Sequence, residues 1–312
     1  MQRVGLSSKI WFWFKATRFP FFQAAYIPVL IGASIAWSVS GLFDPFLFAL
    51  TLIGGILLQA AVNMFNDYFD YLSGADQMVE HRNPFAGGGR VLVMERGITP
   101  KKHLAVSFSY LVLGSVIGFY LILLRGFIIL VLGIIGVFSI YFYTAPPLQL
   151  SYKGFGELLV GLNFGPLMVI GSYYVQTQEL SLQQPLTASI PIGILIAMIL
   201  WINEFPDFHT DKAIGKHHLV VRLGYRWAIR VYIASVVTAY IIIGYGIACG
   251  ILPFPVLLSL ATIPLCLKAV TILLKSHQDP MGLIPGNALT VITHLVTGLL
   301  IVAGYIISVT LI

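Results

Sequence analysis

The sequence predicts an all-α polytopic membrane protein, with nine transmembrane helices arranged as two four-helix halves plus one and the N-terminus cytoplasmic. Three observations predict it. Only 18 Lys or Arg and 12 Asp or Glu occur in 312 residues, near 10 % charged, where a soluble domain carries about 25 %. Hydrophobic residues make up 58 % and the mean hydropathy is +0.91. The apolar residues gather into segments of the roughly 20 residues that a bilayer-crossing helix needs, and the basic residues gather at one set of segment ends. So few charges cannot make a water-facing surface for this much chain, which excludes soluble enzymes, nucleic-acid binders and disordered proteins. The net charge of +6 is what cytoplasmic loops supply to a membrane protein, so no nucleic-acid partner is expected. Cys249 and Cys266 lack CxxC spacing, so neither a disulfide framework nor a zinc site follows.

The predicted spans are 20–41, 45–66, 102–124, 126–145, 156–177, 185–204, 228–250, 254–274 and 288–311. Before the first, Arg3, Lys9, Lys15 and Arg18 surround an aromatic run at 10–14, which reads as an interfacial helix feeding the first span. A cleaved signal peptide is not expected, because this apolar run is short, is broken by Lys15 and lacks a small-residue cleavage site. Pro28, Pro166, Pro191 and Pro264 fall within spans, where neighbouring helices can satisfy the freed carbonyls. Sixteen basic residues fall on one side: the four above, Arg82, Arg90, Arg96, Lys101 and Lys102, then Lys153, then Lys212, Lys216, Arg222, Arg226 and Arg230, then Lys275. The other side has Arg125, and Lys268 lies within the eighth span, where it snorkels. The positive-inside rule makes the basic side cytoplasmic. The expected location is therefore the cell (inner) membrane, multi-pass, as one domain over 1–312 with halves 1–145 and 146–287 and a ninth helix at 288–311.

Six of the twelve acids sit in two stretches where an even-numbered span meets that basic side. One runs Asn63-Met-Phe-Asn66-Asp67-Tyr68-Phe69-Asp70 to Gly74 and Asp76; the other runs Asn203-Glu204-Phe-Pro206-Asp207 to Asp211, Gly215 and Lys216. Asn63 and Asp67 recur at Asn203 and Asp207 with the same offset of 140 residues, which suggests a duplicated half. Asn63, Asp67, Asp70 and Gly74 share one helical face, as do Asn203, Asp207 and Asp211. Pro206 removes a backbone donor and is expected to kink or unwind the second helix end, turning Asp207 toward the cavity. A carboxylate costs about 2.5–3.5 kcal/mol at the bilayer centre and less near an interface, and four in one cavity also repel. A cation must offset that, and an all-oxygen set of Asp and Asn favours Mg²⁺ over zinc. Such a Mg²⁺ keeps positions open for phosphate oxygens, and Arg82, Arg90, Lys153, Lys212, Lys216 and Arg222 stand ready in the flanking loops. A diphosphate held at the mouth of an apolar cavity implies a lipid tail lying among the helices.

At these residues the sequence resembles the UbiA-type superfamily of intramembrane aromatic polyprenyltransferases. The matches are Lys15-Ala-Thr-Arg18, the Asn-Asp-x-x-Asp cluster at 66–70, Tyr143-Thr-Ala-Pro-Pro, and Asp207-x3-Asp211-x3-Gly215-Lys216, spread over most of the chain. Within the superfamily the sequence is most similar to the menaquinone branch, the 1,4-dihydroxy-2-naphthoate polyprenyltransferases. That similarity rests on the stretch from Asn66 to Asp76, Gly87-Gly-Gly-Arg90, the segment 165–177, and Asn287-x2-Thr290-x3-His294. One departure is Asn203-Glu-Phe-Pro-Asp207, where the branch often reads Asn-Asn-x-Arg-Asp; it leaves the carboxylates in place and bears on the acceptor. The resemblance implies that Asp67, Asp70, Asp76, Asp207 and Asp211 hold Mg²⁺ against the diphosphate of a polyprenyl donor. Asn63, Asn66, Asn203, Arg18, Arg82, Lys153 and Lys216 would bind substrate. The metal and basic groups stabilise charge on the leaving group, while Tyr143 and Tyr68 shield the allylic cation by cation–π contact. An aromatic ring then attacks, and in that branch carbon dioxide is lost along with the proton.

Other features read differently. Gly87-Gly88-Gly89 lacks a P-loop ending and reads as a hinge. His217 and His218 are adjacent, share no helical face and read as loop residues. Asn287, Thr290 and His294 share a face suited to interhelical hydrogen bonds. Within the enzyme class 4-hydroxybenzoate, homogentisate or another acceptor remains open. The competing class is a transporter, which also uses repeats and broken helices; against it, no polar path continues to the other membrane face. No protein partner follows from the sequence.

Overall fold

The computed structural model describes residues 13–74, 85 and 99–311, and within them every regular element is helical. A single 3₁₀ turn, Phe19–Phe22, leads into α1 (Gln23–Ser40); then come α2 (Pro45–Ser73), α3 (Pro100–Arg125), α4 (Phe127–Phe142), α5 (Gly156–Thr177), α6 (Gln183–Asn203), a short α7 (Phe208–Ala213), α8 (Leu219–Ala248), α9 (Phe254–Ser276) and α10 (Ile284–Thr310). Among the described residues eight helices are long and apolar enough to cross a membrane, all but α4 and α7. The chain is an integral membrane protein. At 16 residues, α4 is shorter than the expected span 126–145: at 1.5 Å per residue it covers about 24 Å, against about 30 Å of hydrocarbon.

Local sequence explains where the helices start and stop. Asp44 caps α2, its carboxylate accepting from Phe46 N at 2.9 Å and Leu47 N at 3.1 Å, and Thr99 caps α3 through Lys102 N. Gly74 ends α2 in the left-handed region (φ 82), as its position after Ser73 predicts. α8 starts at Leu219, but its backbone breaks at Gly224 (φ 70, ψ 161), and the helix after the break corresponds to the span expected at 228–250. Pro166 sits in a π turn, Asn163–Leu167, inside α5. The Asn163 side-chain amide donates to Leu159 O there at 2.8 Å, a second bond on a carbonyl that the Asn163 backbone N–H also reaches. The first half of α9, Phe254–Thr262, is wound as a 3₁₀ helix.

The core runs through α1, α5, α6 and α10: Ile27, Ile31 and Ile35 pack with Val169, Tyr173, Ile192, Ile301 and Tyr305. In lipid no hydrophobic force draws helices together, so close backbone approach does the work. Gly161 and Gly165 of α5 face Gly193 of α6. A Cβ on Gly165 would lie 2.6 Å from Gly193 Cα, and one on Gly193 would lie 2.5 Å from Gly161 O. A methyl group there forces the helices apart. Gly193→Ala is therefore expected to destabilise the bundle by about 1–3 kcal/mol, read as a lower thermal midpoint in detergent, while Gly244→Ala, where nothing lies within 4 Å, leaves the midpoint in place or raises it.

Candidate active site

The first acidic stretch occupies the last turns of α2. Asp67 and Asp70 are each 2 % exposed, far too buried to be solvated helix-end charges. Arg18 forms an ion pair with Asp67. Its backbone sits in the left-handed region (φ 53, ψ 48), unusual for a side chain with a Cβ, where the N-terminal segment turns into α1. Asn63 donates to Thr17 O at 2.9 Å and accepts from Gln59 at 3.1 Å, so it fastens that segment to α2. Asn66 donates to Asp70 Oδ2 at 3.0 Å, and the Tyr152 hydroxyl donates to Asp70 Oδ1 at 2.7 Å.

The second stretch differs from the single helical column expected for it. α6 stops at Asn203, residues 204–207 turn, and Asp207 stands just before α7, which carries Asp211. Pro206 accounts for the break, since it has no N–H to continue the ladder. Asn203 stays in place because Asn287 of α10 donates to its Oδ1 at 2.7 Å and to Ile202 O at 3.3 Å. After α7, Gly215 takes a left-handed conformation (φ 80), and Lys216 N bonds back to Asp211 O at 2.8 Å. This glycine-closed helix end folds Lys216 over the acids.

Lys216 joins the two stretches. Its Nζ lies 3.4 Å from Asp70 Oδ2, 3.7 Å from Asp211 Oδ2 and 5.3 Å from the centre of the Tyr152 ring. Burial by itself would lower the Lys216 pKa, but Asp211 and Asp70 outweigh it and hold the ammonium well above its usual value. Asp211 is displaced the other way: burial works to raise its pKa, and Lys216 and His218 overcome that and lower it. The Tyr152 hydroxyl is raised by burial and by Asp70. Asp67, Asp70, Asp207 and Asp211 are all 9 % exposed or less, and carboxylate and amide oxygens are the ligand type that a hard cation such as Mg²⁺ takes; among the described residues, however, the group with ligand atoms within 4.8 Å of one another is Glu157, Glu204 and His218.

Of the remaining expected residues, Tyr143 follows the last residue of α4, with its backbone carbonyl accepting from Ser151 N at 2.9 Å and Ser151 Oγ at 2.7 Å. Lys153 does not reach the acids: it is exposed, and its ammonium contacts Pro147 O at 3.4 Å. The neighbouring Tyr152 points inward instead, because the 3₁₀ turn Leu150–Lys153 sends adjacent side chains in different directions. Asp76, Arg82, Arg90 and Gly87-Gly88-Gly89 lie outside the described residues. His218 lies in the loop, as expected, but is buried there beside two acids. It is 1 % exposed and immediately precedes α8, with Nε2 3.2 Å from Asp211 Oδ2 and Nδ1 3.3 Å from Glu204 Oε2. Burial would lower its pKa, yet Glu204 and Asp211 raise it to about 10. Val221 N donates to Nδ1 at 3.4 Å, so the ring also caps the start of α8. Tyr152 was missed because it stands beside the more conspicuous Lys153; the signal available was its position in the turn bordering the acid stretches. Asn287 and Thr290 make the expected interhelical bonds, Thr290 with Tyr232 at 2.7 Å, whereas neither ring nitrogen of His294 has a hydrogen-bond partner among the described residues.

Beneath the acids lies a cavity of about 840 Å³. Arg18, Asn63, Asn66, Tyr143 and Asn203 line its polar end, and Leu50, Ile117, Ile129, Leu132 and Val175 are among the many apolar residues of its body. From Asn63 to Leu50 along α2 the cavity runs about 20 Å. It is long, greasy and charged only at its mouth, a shape for an amphiphile with an anionic head and an apolar tail.

The similarity of the chain to known proteins agrees with that shape. The 2-carboxy-1,4-naphthoquinone phytyltransferase of Synechocystis sp. is 31 % identical over 295 residues, covering 94 % of this chain and 92 % of the relative. The 1,4-dihydroxy-2-naphthoate octaprenyltransferase of Bacillus subtilis is 29 % identical, covering 98 % of this chain and 95 % of the relative. Among solved structures, an apo UbiA homolog from Aeropyrum pernix superposes with a TM-score of 0.65 at 16 % identity, over 90 % of this chain and 96 % of that one. A UbiA homolog from Archaeoglobus fulgidus bound to GPP and Mg²⁺ superposes at 0.54 and 13 % identity, over 96 % and 99 %. The UbiA prenyltransferase family matches residues 25–282, and the chain belongs to that family.

Proposed function

We propose that the chain catalyses Mg²⁺-dependent transfer of a polyprenyl group from polyprenyl diphosphate to an aromatic acceptor, 1,4-dihydroxy-2-naphthoate, in menaquinone biosynthesis. The observation that carries this reading is the meeting of two acid stretches, 140 residues apart in sequence, on one lysine at the mouth of an apolar cavity. The relatives named for naphthoate prenylation support the choice of acceptor. The enzyme lies in the inner membrane with this mouth and its N-terminus facing the cytoplasm, as the sixteen basic residues on that side support; α4 is its ninth span, and the chain divides into halves 1–145 and 146–287.

Asp67, Asp70, Asp207 and Asp211 hold the metal, and Asp76 joins them. Arg18, Arg82 and Lys216 take the diphosphate oxygens, with Asn63, Asn66 and Asn203 shaping the rim. Mg²⁺ supplies Lewis-acid stabilisation of the charge that grows on the departing diphosphate. The allylic C–O bond breaks with its electron pair leaving on diphosphate, and Arg18 and Lys216 stabilise that charge where it develops. Tyr143, at the junction of rim and cavity, faces the resulting cation with its ring. The apolar walls keep water from the cation, so the acceptor ring carbon attacks and the new C–C bond forms. Loss of carbon dioxide returns the electron pair to the ring.

An acceptor panel with one polyprenyl diphosphate tests the proposal: the expected product from 1,4-dihydroxy-2-naphthoate has lost the mass of carbon dioxide, and a prenylated product that keeps its carboxylate overturns this acceptor. Asp67→Asn and Asp211→Asn are each expected to lower turnover about a hundredfold or more in a fixed-time transfer assay at saturating donor. Tyr152→Phe, which removes one hydrogen bond to a buried carboxylate, is expected to cost about tenfold, measured as kcat/KM for the diphosphate.

A further inference from the structure

Next to Asp211 lies a set of titratable side chains that the proposed reaction does not use. His218, Glu204 and Glu157 present ligand atoms within 4.8 Å of one another, from the start of α8, the turn after α6 and the first turn of α5. The set is tied together from both ends. Glu157 Oε1 accepts from Leu219 N, the residue after His218, at 2.7 Å; Glu204 Oε2 meets His218 Nδ1 at 3.3 Å, and His218 Nε2 meets Asp211 Oδ2 at 3.2 Å. His218 and Glu157 are 1 % and 3 % exposed. Such a combination of two carboxylates and an imidazole is also what a divalent metal selects. Here, however, both ring nitrogens already face carboxylates, so the ring lies between these acids and touches Asp211 directly. The arrangement is that of a histidine whose one nitrogen is fixed by an acid so that the other fixes a ligand carboxylate, the kind of outer support on which metal affinity depends.

We propose that His218, braced by Glu204 and Glu157, is the positioning residue that holds the Asp211 carboxylate in place for the metal and diphosphate. The inference rests on the reading of Asp211 as a metal ligand. Lys216 meets the same oxygen of Asp211, Oδ2, at 3.7 Å, but Lys216 is long, flexible and shared with Asp70. The imidazole is short, and its other side is fixed to Glu204. When diphosphate draws Lys216 toward itself, His218 is the contact that stays on Asp211.

The test is Mn²⁺ binding to the full-length protein in nanodiscs, read from the EPR signal of the free ion. His218→Leu is expected to weaken Mn²⁺ binding 10- to 100-fold. His218→Gln, whose amide can still donate to Asp211, should recover binding to within about threefold of the parent, and Glu204→Gln should lose an intermediate amount. A purely structural role for the histidine would lower the melting temperature of both His218 variants alike without this ordering of affinities. If His218→Leu does not yield folded protein, the His218→Gln and Glu204→Gln affinities decide. Asp67→Asn, which lies away from His218, checks the underlying reading: unchanged Mn²⁺ binding in both Asp67→Asn and Asp211→Asn removes the metal assignment and the inference with it. Loss of binding in Asp67→Asn beside parental affinity in His218→Leu overturns the inference alone. A bound Mn²⁺ that survives Asp67→Asn but disappears in Glu157→Gln also overturns it, by making the cluster a metal site in its own right.

Discussion

The sharing of one ammonium between Asp70 and Asp211 is the constraint on which the rest of the site depends. Lys216 lies between α2 and α7, so two acid stretches that would repel each other are drawn to a single point. In a medium of low dielectric an unpaired buried carboxylate is among the most costly groups a fold can contain. Arg18 does for Asp67 what Lys216 does for the other two. Several local features follow from these pairings. Gly215 has the left-handed conformation that turns Lys216 back over Asp211. Arg18 keeps a left-handed backbone that costs about 1–2 kcal/mol in an L-residue, and the ion pair together with the Asn63 bond to Thr17 O holds it there. Strain of this sort persists only where the surroundings over-determine it.

The same cations connect fold to proposed chemistry. Arg18 lines the cavity mouth and Lys216 is held in place by the acids beside it, so a diphosphate arriving there meets positive charge that needs little reorganisation. Below them the cavity wall changes within a turn or two from Asn63 and Asn66 to the leucines and isoleucines of α2–α4. An amphiphile entering this space can satisfy its head only at the mouth and its tail only in the body, and that fixes its direction. The close contact of α5 with α6 at Gly161, Gly165 and Gly193 keeps one wall of that space rigid despite the π turn beside it.

Much of this was legible in the sequence, for reasons that differ by residue. The spans could be read because hydropathy must persist over a whole bilayer thickness, and the carboxylates could be read because charge is so scarce that its clustering stands out. Span ends were less legible: Arg222, Arg226 and Arg230 lower the hydropathy around Gly224 although the chain there is helical on both sides, and the apolar run at 126–145 gave no sign that α4 would be a helix of 16 residues. The column expected through Asn203, Asp207 and Asp211 failed at Pro206, although the proline itself announced a break. Lys153 and Tyr152 show the limit most plainly. Charge drew attention to the lysine, but the turn at 150–153 exposes it and delivers the tyrosine to Asp70. Periodicity cannot decide which of two neighbours in an irregular turn faces inward.

His218 explains the one departure from the pattern that the sequence resembles. Where that pattern has an amide followed by an arginine, this chain has Glu204 and Pro206, which adds a negative charge and removes a positive one beside four existing carboxylates. A glutamate there, 12 % exposed at its side chain, would be strongly unfavourable alone. The partner that compensates for it comes from a different helix, where His218 reaches both Glu204 and Asp211. Glu204 is therefore best understood as half of a pair with His218. Reverting the glutamate alone would leave the imidazole facing only Asp211, and removing the histidine alone would leave two buried acids opposed. The departure at 204–206 thus changes which helix supplies a partner to the second acid stretch and leaves the Asp207 and Asp211 carboxylates where the first stretch needs them.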